Sequence, residues 1–180
     1  MKIWLALVLT LLAAQPGRSS GESQKFTTIG SFSNMRFTEE HQYGAEIQLW
    51  KEGGELLGLF SFSEGLIGDT PTGLLEHTKY DPRTGIISFE ARLTTGQHFC
   101  TLHKDVPSRD VFSFRGKLSR GSVSGVLKRS DLLHPEAPAT EERVVLRRST
   151  GKHANQADYR SRSEWSAASG KILKLRGPKW

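Results

Sequence analysis

Residues 25–149 repeat one unit, a short run of alternating apolar and polar residues followed by a turn that contains glycine. Successive side chains of a β-strand point to opposite faces, so each run predicts a strand with one buried face. The clearest run has Phe112 and Phe114 on one face and Ser113 and Arg115 on the other. Eight such runs predict strands at residues 26–34, 45–51, 56–63, 73–80, 85–93, 111–118, 122–128 and 142–148.

The turns between these runs predict how the strands are connected. In the segment 81–85, a proline occupies the second position, Gly85 ends the turn, and the Asp81 carboxylate is placed to cap it. Glycine-containing dipeptides at 53–54 and 120–121 predict two further hairpins. Because hairpins join strands that are neighbours in sequence, we predict an all-β fold. It is an antiparallel meander that closes into a roughly eight-stranded up-and-down barrel.

The N-terminal residues have the form of a secretion signal. Lys2 precedes an apolar run that ends in small residues at Ala14, and polar residues follow. This run is shorter than the roughly 20 residues that a membrane-spanning helix needs. We therefore expect residues 1–20 to be a signal peptide, cleaved after Ala14 or at a site within 19–21. The mature protein is then secreted or periplasmic.

The net charge of +6 is concentrated in the C-terminal part of the chain. Residues 143–180 contain ten basic and two acidic residues, whereas residues 1–142 contain 15 basic and 17 acidic ones, which argues against a nucleic-acid-binding barrel. Hydrophobic periodicity fades after residue 150, so we expect a barrel domain at 21–149 and a weakly ordered basic tail at 150–180, dispensable for folding. The tail cations expected to bind polyanions are Arg160, Arg162, Lys171, Lys174, Arg176 and Lys179.

Residue types with metal-binding or catalytic chemistry form no recognisable motif. His98, Cys100 and His103 are close in sequence, but a strand would place His103 on the opposite face, and the spacing matches no standard zinc site. As the single cysteine, Cys100 cannot form an internal disulfide, and a half-buried strand position suits it better than an interchain bond. The glycines are spaced as turns rather than as phosphate-binding loops or a serine nucleophile elbow. We expect no catalytic residue, metal or cofactor.

Most of the phenylalanines fall on the predicted strands, and two interpretations are open. They fill the barrel as its core, or some of them line a cavity for a small apolar ligand. The connections at 94–110 and 129–140 are longer than the hairpins and are expected at the barrel rim, where they either contribute to binding or serve as ordinary connectors. The predicted ligand-binding residues are Phe60, Phe62, Phe89, Phe112 and Phe114.

The segment Gly30-Ser31-Phe32 and the pattern Phe-x-Phe-x-Gly-x-Leu-x-x-Gly-x-Val-x-Gly-x-Leu at 112–127 resemble the calycin group of lipocalin-like and avidin-like β-barrels. The resemblance covers residues 26–148. It implies an up-and-down barrel with one open mouth.

Two further expectations follow from the calycin resemblance. A lipocalin has Trp where Phe32 stands and packs it against an arginine near the last strand, a role for which Arg147 and Arg148 are available. The tryptophan pattern of the avidin biotin site is not recognisable, since Trp50 is the only tryptophan in the predicted barrel. The resemblance therefore implies an architecture and names no ligand.

Three functions are compatible with this sequence. The first is an exported, non-enzymatic binding module with its ligand in the barrel mouth or on the rim loops. The second is an envelope structural or interaction protein that docks to anionic lipid or polysaccharide through its cationic tail. The third is a small hydrolase, although a regular strand at 73–80 would point Glu76 and His77 to opposite faces.

Overall fold

The computed structural model describes residues 25–68, 70–98, 106–150 and 157–180. The predicted signal peptide, Cys100 and His103 lie outside these residues. The described chain contains twelve β-strands and one α-helix. The elements are β1 (Phe26–Ser33), β2 (Arg36–Phe37), β3 (His41–Glu52), β4 (Glu55–Leu66), β5 (Thr72–Leu74), β6 (Glu76–Tyr80), β7 (Ile86–Leu93), β8 (Gln97–His98), β9 (Val106–Pro107), β10 (Asp110–Leu118), β11 (Ser122–Asp131), β12 (Thr140–Arg148) and α1 (Arg162–Arg176).

Nine of the strands form one antiparallel sheet that curves into a nearly closed barrel. Their order is β5-β4-β3-β1-β12-β11-β10-β7-β6, so β1 pairs with β12. The two ends of this order, β5 and β6, belong to one extended segment that is interrupted only at Leu75. Because β5 pairs with β4 and β6 pairs with β7, this divided segment closes the barrel.

The prediction of an all-β, antiparallel up-and-down barrel is confirmed. With β5 and β6 taken as one strand, the eight predicted runs correspond to the eight barrel strands. β3 and β4 are longer than the alternation predicts, because they continue to pair with each other as far as His41 and Leu66. The short strands β2, β8 and β9 are additional: β2 pairs with β3, and β8 pairs with β9.

The turn at 81–85 has the predicted geometry. The Asp81 carboxylate accepts hydrogen bonds from the backbone N–H of Arg83 and from the Thr84 hydroxyl, each 2.9 Å long. These bonds, first the one from Arg83, hold the pKa of Asp81 below its usual value. Gly85 has a φ of 74°, a left-handed conformation that glycine adopts at little cost. The turn therefore fixes the start of β7 opposite the end of β6.

Arg148 closes one end of the barrel. Its guanidinium carbon lies 4.8 Å from the centroid of the Phe32 ring, and its nitrogens donate to the carbonyl oxygens of Ile29 and Arg120. Gly30 makes this approach possible, because its φ is 151° and a Cβ there would collide with the Arg148 guanidinium. Arg148 thus makes the contact that the calycin resemblance implies, and the barrel is consistent with a calycin-like fold.

The expectation of a weakly ordered tail is wrong for residues 157–180. Ser161 caps α1 by accepting a hydrogen bond from the backbone N–H of Glu164, and Trp165 is only 6% exposed. Trp165 and Tyr159 both pack against Trp50, with ring centroids 5.9 and 5.7 Å away. These contacts cover an apolar patch on the outside of the barrel, so the tail belongs to the folded structure.

We predict that Trp165→Ala lowers the free energy of unfolding by about 3–5 kcal/mol, because it removes a large aromatic side chain from a buried cluster. Trp165→Phe keeps a ring and removes an indole N–H that has no partner in the described structure, so its cost is smaller. Leu175→Ala, at a position that is 81% exposed, is the control and changes stability by less than about 0.5 kcal/mol. Urea denaturation followed by circular dichroism measures all three. Equal stability of Trp165→Ala and the parent would show that the tail is dispensable for folding.

Candidate functional site

The five phenylalanines that the sequence predicts as ligand-binding residues pack against one another inside the barrel. Four pairs of ring centroids lie 4.8 to 5.8 Å apart. Four of the rings belong to residues that are at most 4% exposed. This is the packing of a solid core, and the assignment of these residues to a ligand stays a prediction. We call Phe60, Phe62, Phe89, Phe112 and Phe114 the phenylalanine column.

The two predicted rim loops meet at the end of the barrel opposite Arg148, around a pocket of about 440 Å³. The centre of this end is Arg129, whose Nε donates to Asp110 over 2.9 Å and whose Nη1 donates to Glu64 over 2.6 Å. Its Nη2 donates to the Thr95 hydroxyl over 2.7 Å. The guanidinium also lies 5.7 Å from two ring centroids of the phenylalanine column. Arg129 therefore covers this end of the column.

The carboxylate of Asp110 is the most buried charge of this network, with a side chain that is only 3% exposed. Burial alone would raise its pKa. Hydrogen bonds from the hydroxyls of Ser108 and Thr95 and the charge of Arg129 outweigh burial, so the pKa of Asp110 lies below its usual value. The carboxylates of Asp110 and Glu64 in turn raise the pKa of Arg129 against the opposing effect of burial. The charges at this end are thus paired with one another.

A larger groove, of about 990 Å³, lies on the outside of the barrel beside α1. Its walls are α1, the end of β12 and the segments that carry Phe37 and Ile67. Its floor consists of outward-facing side chains from β1, β3, β4 and β5. We call it the outer groove. The polar residues of its floor are Ser33, Gln42, Glu46, Gln48, Ser61 and Thr72.

Hydrogen bonds hold the floor of the outer groove in place. One carboxylate oxygen of Glu46 accepts from the Ser31 hydroxyl over 3.1 Å and from the Gln48 amide over 2.7 Å. The hydroxyls of Ser61 and Thr72 are bonded over 2.9 Å. Within the described residues, nothing donates to the second carboxylate oxygen of Glu46. Hydrogen bonds thus join the side chains of the floor, and one carboxylate oxygen of Glu46, which lines the groove, is available as an acceptor.

The walls of the outer groove combine apolar and cationic side chains. Burial, with a smaller effect of Glu164, raises the pKa of Tyr159, so its hydroxyl stays protonated at neutral pH. Arg147 and Arg176 lie at the groove, and neither forms an ion pair with another described residue. The apolar side chains of the walls are Phe37, Ile67, Ile172 and Leu175.

A pattern in β3 could have predicted where the outer groove lies, but the sequence-based expectations did not use it. The outward positions Glu46 and Gln48 are polar, but the next outward position is Trp50, which is 1% exposed. A change from polar to apolar along one face indicates that the face is covered at one end only. In the structure α1 covers the apolar end, and the outer groove lies over the polar end.

The predicted polyanion-binding residues of the tail have different environments. Arg162 forms ion pairs with Glu55, at 2.6 Å, and with Glu52, at 3.7 Å, so it ties α1 to the β3–β4 hairpin. The burial pattern of α1 leaves Lys171 and Lys174 on the exposed side of the helix. The other three, Arg160, Arg176 and Lys179, are exposed as well.

The expectation that Glu76 and His77 point to opposite faces is wrong. Glu76 pairs with Arg92 over 3.4 Å, and His77 pairs with Glu90 over 2.9 Å. Arg92 and Glu90 are two positions apart on β7 and share its outer face. The cause is a register shift in β6, where His77 has a φ of 50°. His77 is thus a surface residue bonded to a carboxylate.

We predict that Arg129→Met lowers the free energy of unfolding at pH 7 by about 3 kcal/mol, because Asp110 would remain buried without its cation. The folded-state pKa of Asp110 is below its unfolded value, so its contribution is complete above about pH 4 and is lost as pH falls through the folded pKa. Without Arg129 the folded-state pKa of Asp110 rises toward or above its unfolded value, so less stability is lost as pH falls. Arg115→Met, which removes an exposed arginine, is the control. Urea denaturation between pH 7 and pH 2.5 measures both, and identical pH profiles would contradict the role given to Arg129.

Comparison with known proteins gives no match: no protein-family model, no curated protein and no solved structure matches this chain significantly. In the part of the chain that the structure describes, no helix combines the length and the apolar character of a membrane span.

Proposed function

We propose that this protein is an exported, non-enzymatic binding module that holds a polyhydroxylated ligand, a saccharide, in the outer groove. Export rests on the signal peptide expected at residues 1–20. The observation that carries the binding site is the hydrogen-bonded polar floor of the groove, placed on the outside of a barrel whose interior is occupied by the phenylalanine column.

The barrel itself argues for an external ligand. The phenylalanine column fills its interior, Arg148 covers Phe32 at one end, and Arg129 covers the column at the other. A ligand in the interior would have to displace rings that contact one another and break the ion pair between Arg129 and Asp110. Both steps expose or unpair buried groups, which costs several kcal/mol. The outer groove requires neither step.

The chemistry of the outer groove favours a ligand that is rich in hydroxyl groups. Its floor offers acceptors on Glu46, Gln48 and Ser61, and a hydroxyl donates to such acceptors. Tyr159 and Ile172 on the wall provide apolar surface for the C–H faces of a sugar ring. The cations Arg147 and Arg176 are placed to accommodate a carboxylate, so an acidic saccharide fits as well as a neutral one.

A second candidate is docking to a polyanion through the basic tail. Lys171 and Lys174 favour it, because both project from the exposed side of α1. Arg162 is removed from this role by its pairing with Glu55 and Glu52. The tail therefore offers fewer free cations than its composition indicates.

We expect the mature protein to bind at least one oligosaccharide from a panel of neutral and uronic-acid oligomers, measured by isothermal titration calorimetry. Ser149 lines the groove, and Ser149→Trp places an indole in it, so this variant should bind the same probe at least about tenfold more weakly. Ser163→Trp adds the same ring on an exposed position of α1 and serves as the matched control.

Two results would contradict this proposal. The first is an absence of binding by every oligosaccharide of the panel at millimolar concentration. The second is binding of a fluorescent fatty acid by the parent and by Ser149→Trp with equal affinity. That result would show that the protein holds an apolar ligand outside the groove, for example inside the barrel.

A further inference from the structure

The outer face of the sheet formed by β6, β7, β10, β11 and β12 carries an ordered set of cations. One row of directly paired residues crosses all five strands, in the order Lys79, Ser88, Arg115, Val126 and Arg143. The cations in this row lie on alternate strands, which places them about 10 Å apart. No two of them are directly opposite, so mutual repulsion is small.

Two more cations extend this pattern. Lys117 lies two positions beyond Arg115 on β10, and Arg147 lies four positions beyond Arg143 on β12, on the same outer face. All five side chains are exposed, and none of them forms an ion pair within the described ranges. We call Lys79, Arg115, Lys117, Arg143 and Arg147 the cationic face.

Two of the carboxylates next to the cationic face are already paired. Glu90 bonds to His77 over 2.9 Å, and Glu141 lies 3.5 Å from Lys128. Counting charge separately over residues 1–142 and 143–180 hides this arrangement, because Lys79, Arg115 and Lys117 fall in the first range and Arg143 and Arg147 in the second. The five cations of this face therefore form a local concentration of positive charge that net charge does not reveal.

We propose that the cationic face binds a linear acidic polysaccharide. This goes beyond the ligand of the outer groove and concerns a second surface. Hydroxyl groups of Ser88 and Ser124 lie between the cations, and they can donate to sulfate, carboxylate or sugar oxygens. The two surfaces meet at Arg147, which belongs to the cationic face and lines the outer groove. A chain held on this face can therefore extend into the groove.

The apolar composition of the cationic face favours a polysaccharide over a membrane or a nucleic acid. A surface that enters the lipid headgroup layer presents Trp, Phe or Leu, and single-stranded nucleic acids stack on aromatic rings. The exposed large apolar residues on this face are Ile86, Val126 and Val145, and none of them is aromatic. Among the described residues, the cationic face thus offers charge and hydrogen bonds to an acidic chain, and the exposed apolar side chains beside its cations include no ring for stacking.

The test compares two variants of equal charge. Lys79→Ser/Arg115→Ser/Arg143→Ser removes three cations from the cationic face, and Lys171→Ser/Lys174→Ser/Lys179→Ser removes three from the tail. Affinity for heparin and for polygalacturonate is measured by calorimetry at low salt, with single-stranded DNA and phosphatidylglycerol vesicles as further probes. Circular dichroism melting verifies that both variants fold like the parent.

We expect the face variant to bind at least one polysaccharide about 100-fold more weakly, at roughly fivefold for each of the three cations removed. The tail variant should lose less than about threefold. Equal losses in both variants would overturn the proposal, because binding would follow net charge alone. Tighter binding of DNA or vesicles than of either polysaccharide, or no binding at all, would overturn it too. Ser149→Trp should retain polymer binding, so failure of the groove proposal is separable from failure of this one.

Discussion

The structure depends on the contact between aromatic rings and the flat guanidinium groups that cover them at both ends of the barrel. Arg148 lies over Phe32 at one end, and Arg129 lies over two rings of the phenylalanine column at the other. A guanidinium can cover an aromatic ring with its face while its N–H groups bond to oxygen at its edge. Each end is thus closed by a side chain that satisfies both its apolar and its polar neighbours. The barrel is a solid support, and its outer surface is where binding takes place in our proposals.

The sequence predicts the barrel well because strand alternation is a local property. A residue's position in the pleat decides whether it faces the core, and the runs at 111–118 and 85–93 show this without ambiguity. The division between β5 and β6 at Leu75 could not be predicted in this way. It arises because one extended segment has to pair with β4 along one part and with β7 along the other.

The candidate sites were less predictable, because they combine residues that are distant in sequence. Arg129 stands at the start of a predicted loop. The β10–β11 hairpin brings it to Asp110, and only the closed barrel brings it to Glu64. On a single helix Tyr159 and Trp165, six residues apart, would share no face. In the structure Tyr159 precedes α1, and the two rings meet on Trp50 from different segments. Net charge was equally uninformative about the cationic face, because a sum over residues discards their positions.

The pairing of the first barrel strand with the last has a kinetic consequence. The hydrogen bond from Arg148 to Ile29 joins residues 119 positions apart, and the one from Thr28 to Asp158 joins residues 130 positions apart. Such contacts raise the contact order and slow folding, because a long loop must close before they can form. During synthesis β1 is made first and β12 last, so β1 lacks its β12 neighbour until the whole barrel sequence has been synthesised. The edge of β1 that later pairs with β12 is therefore unpaired during that interval, and unpaired strand edges favour aggregation.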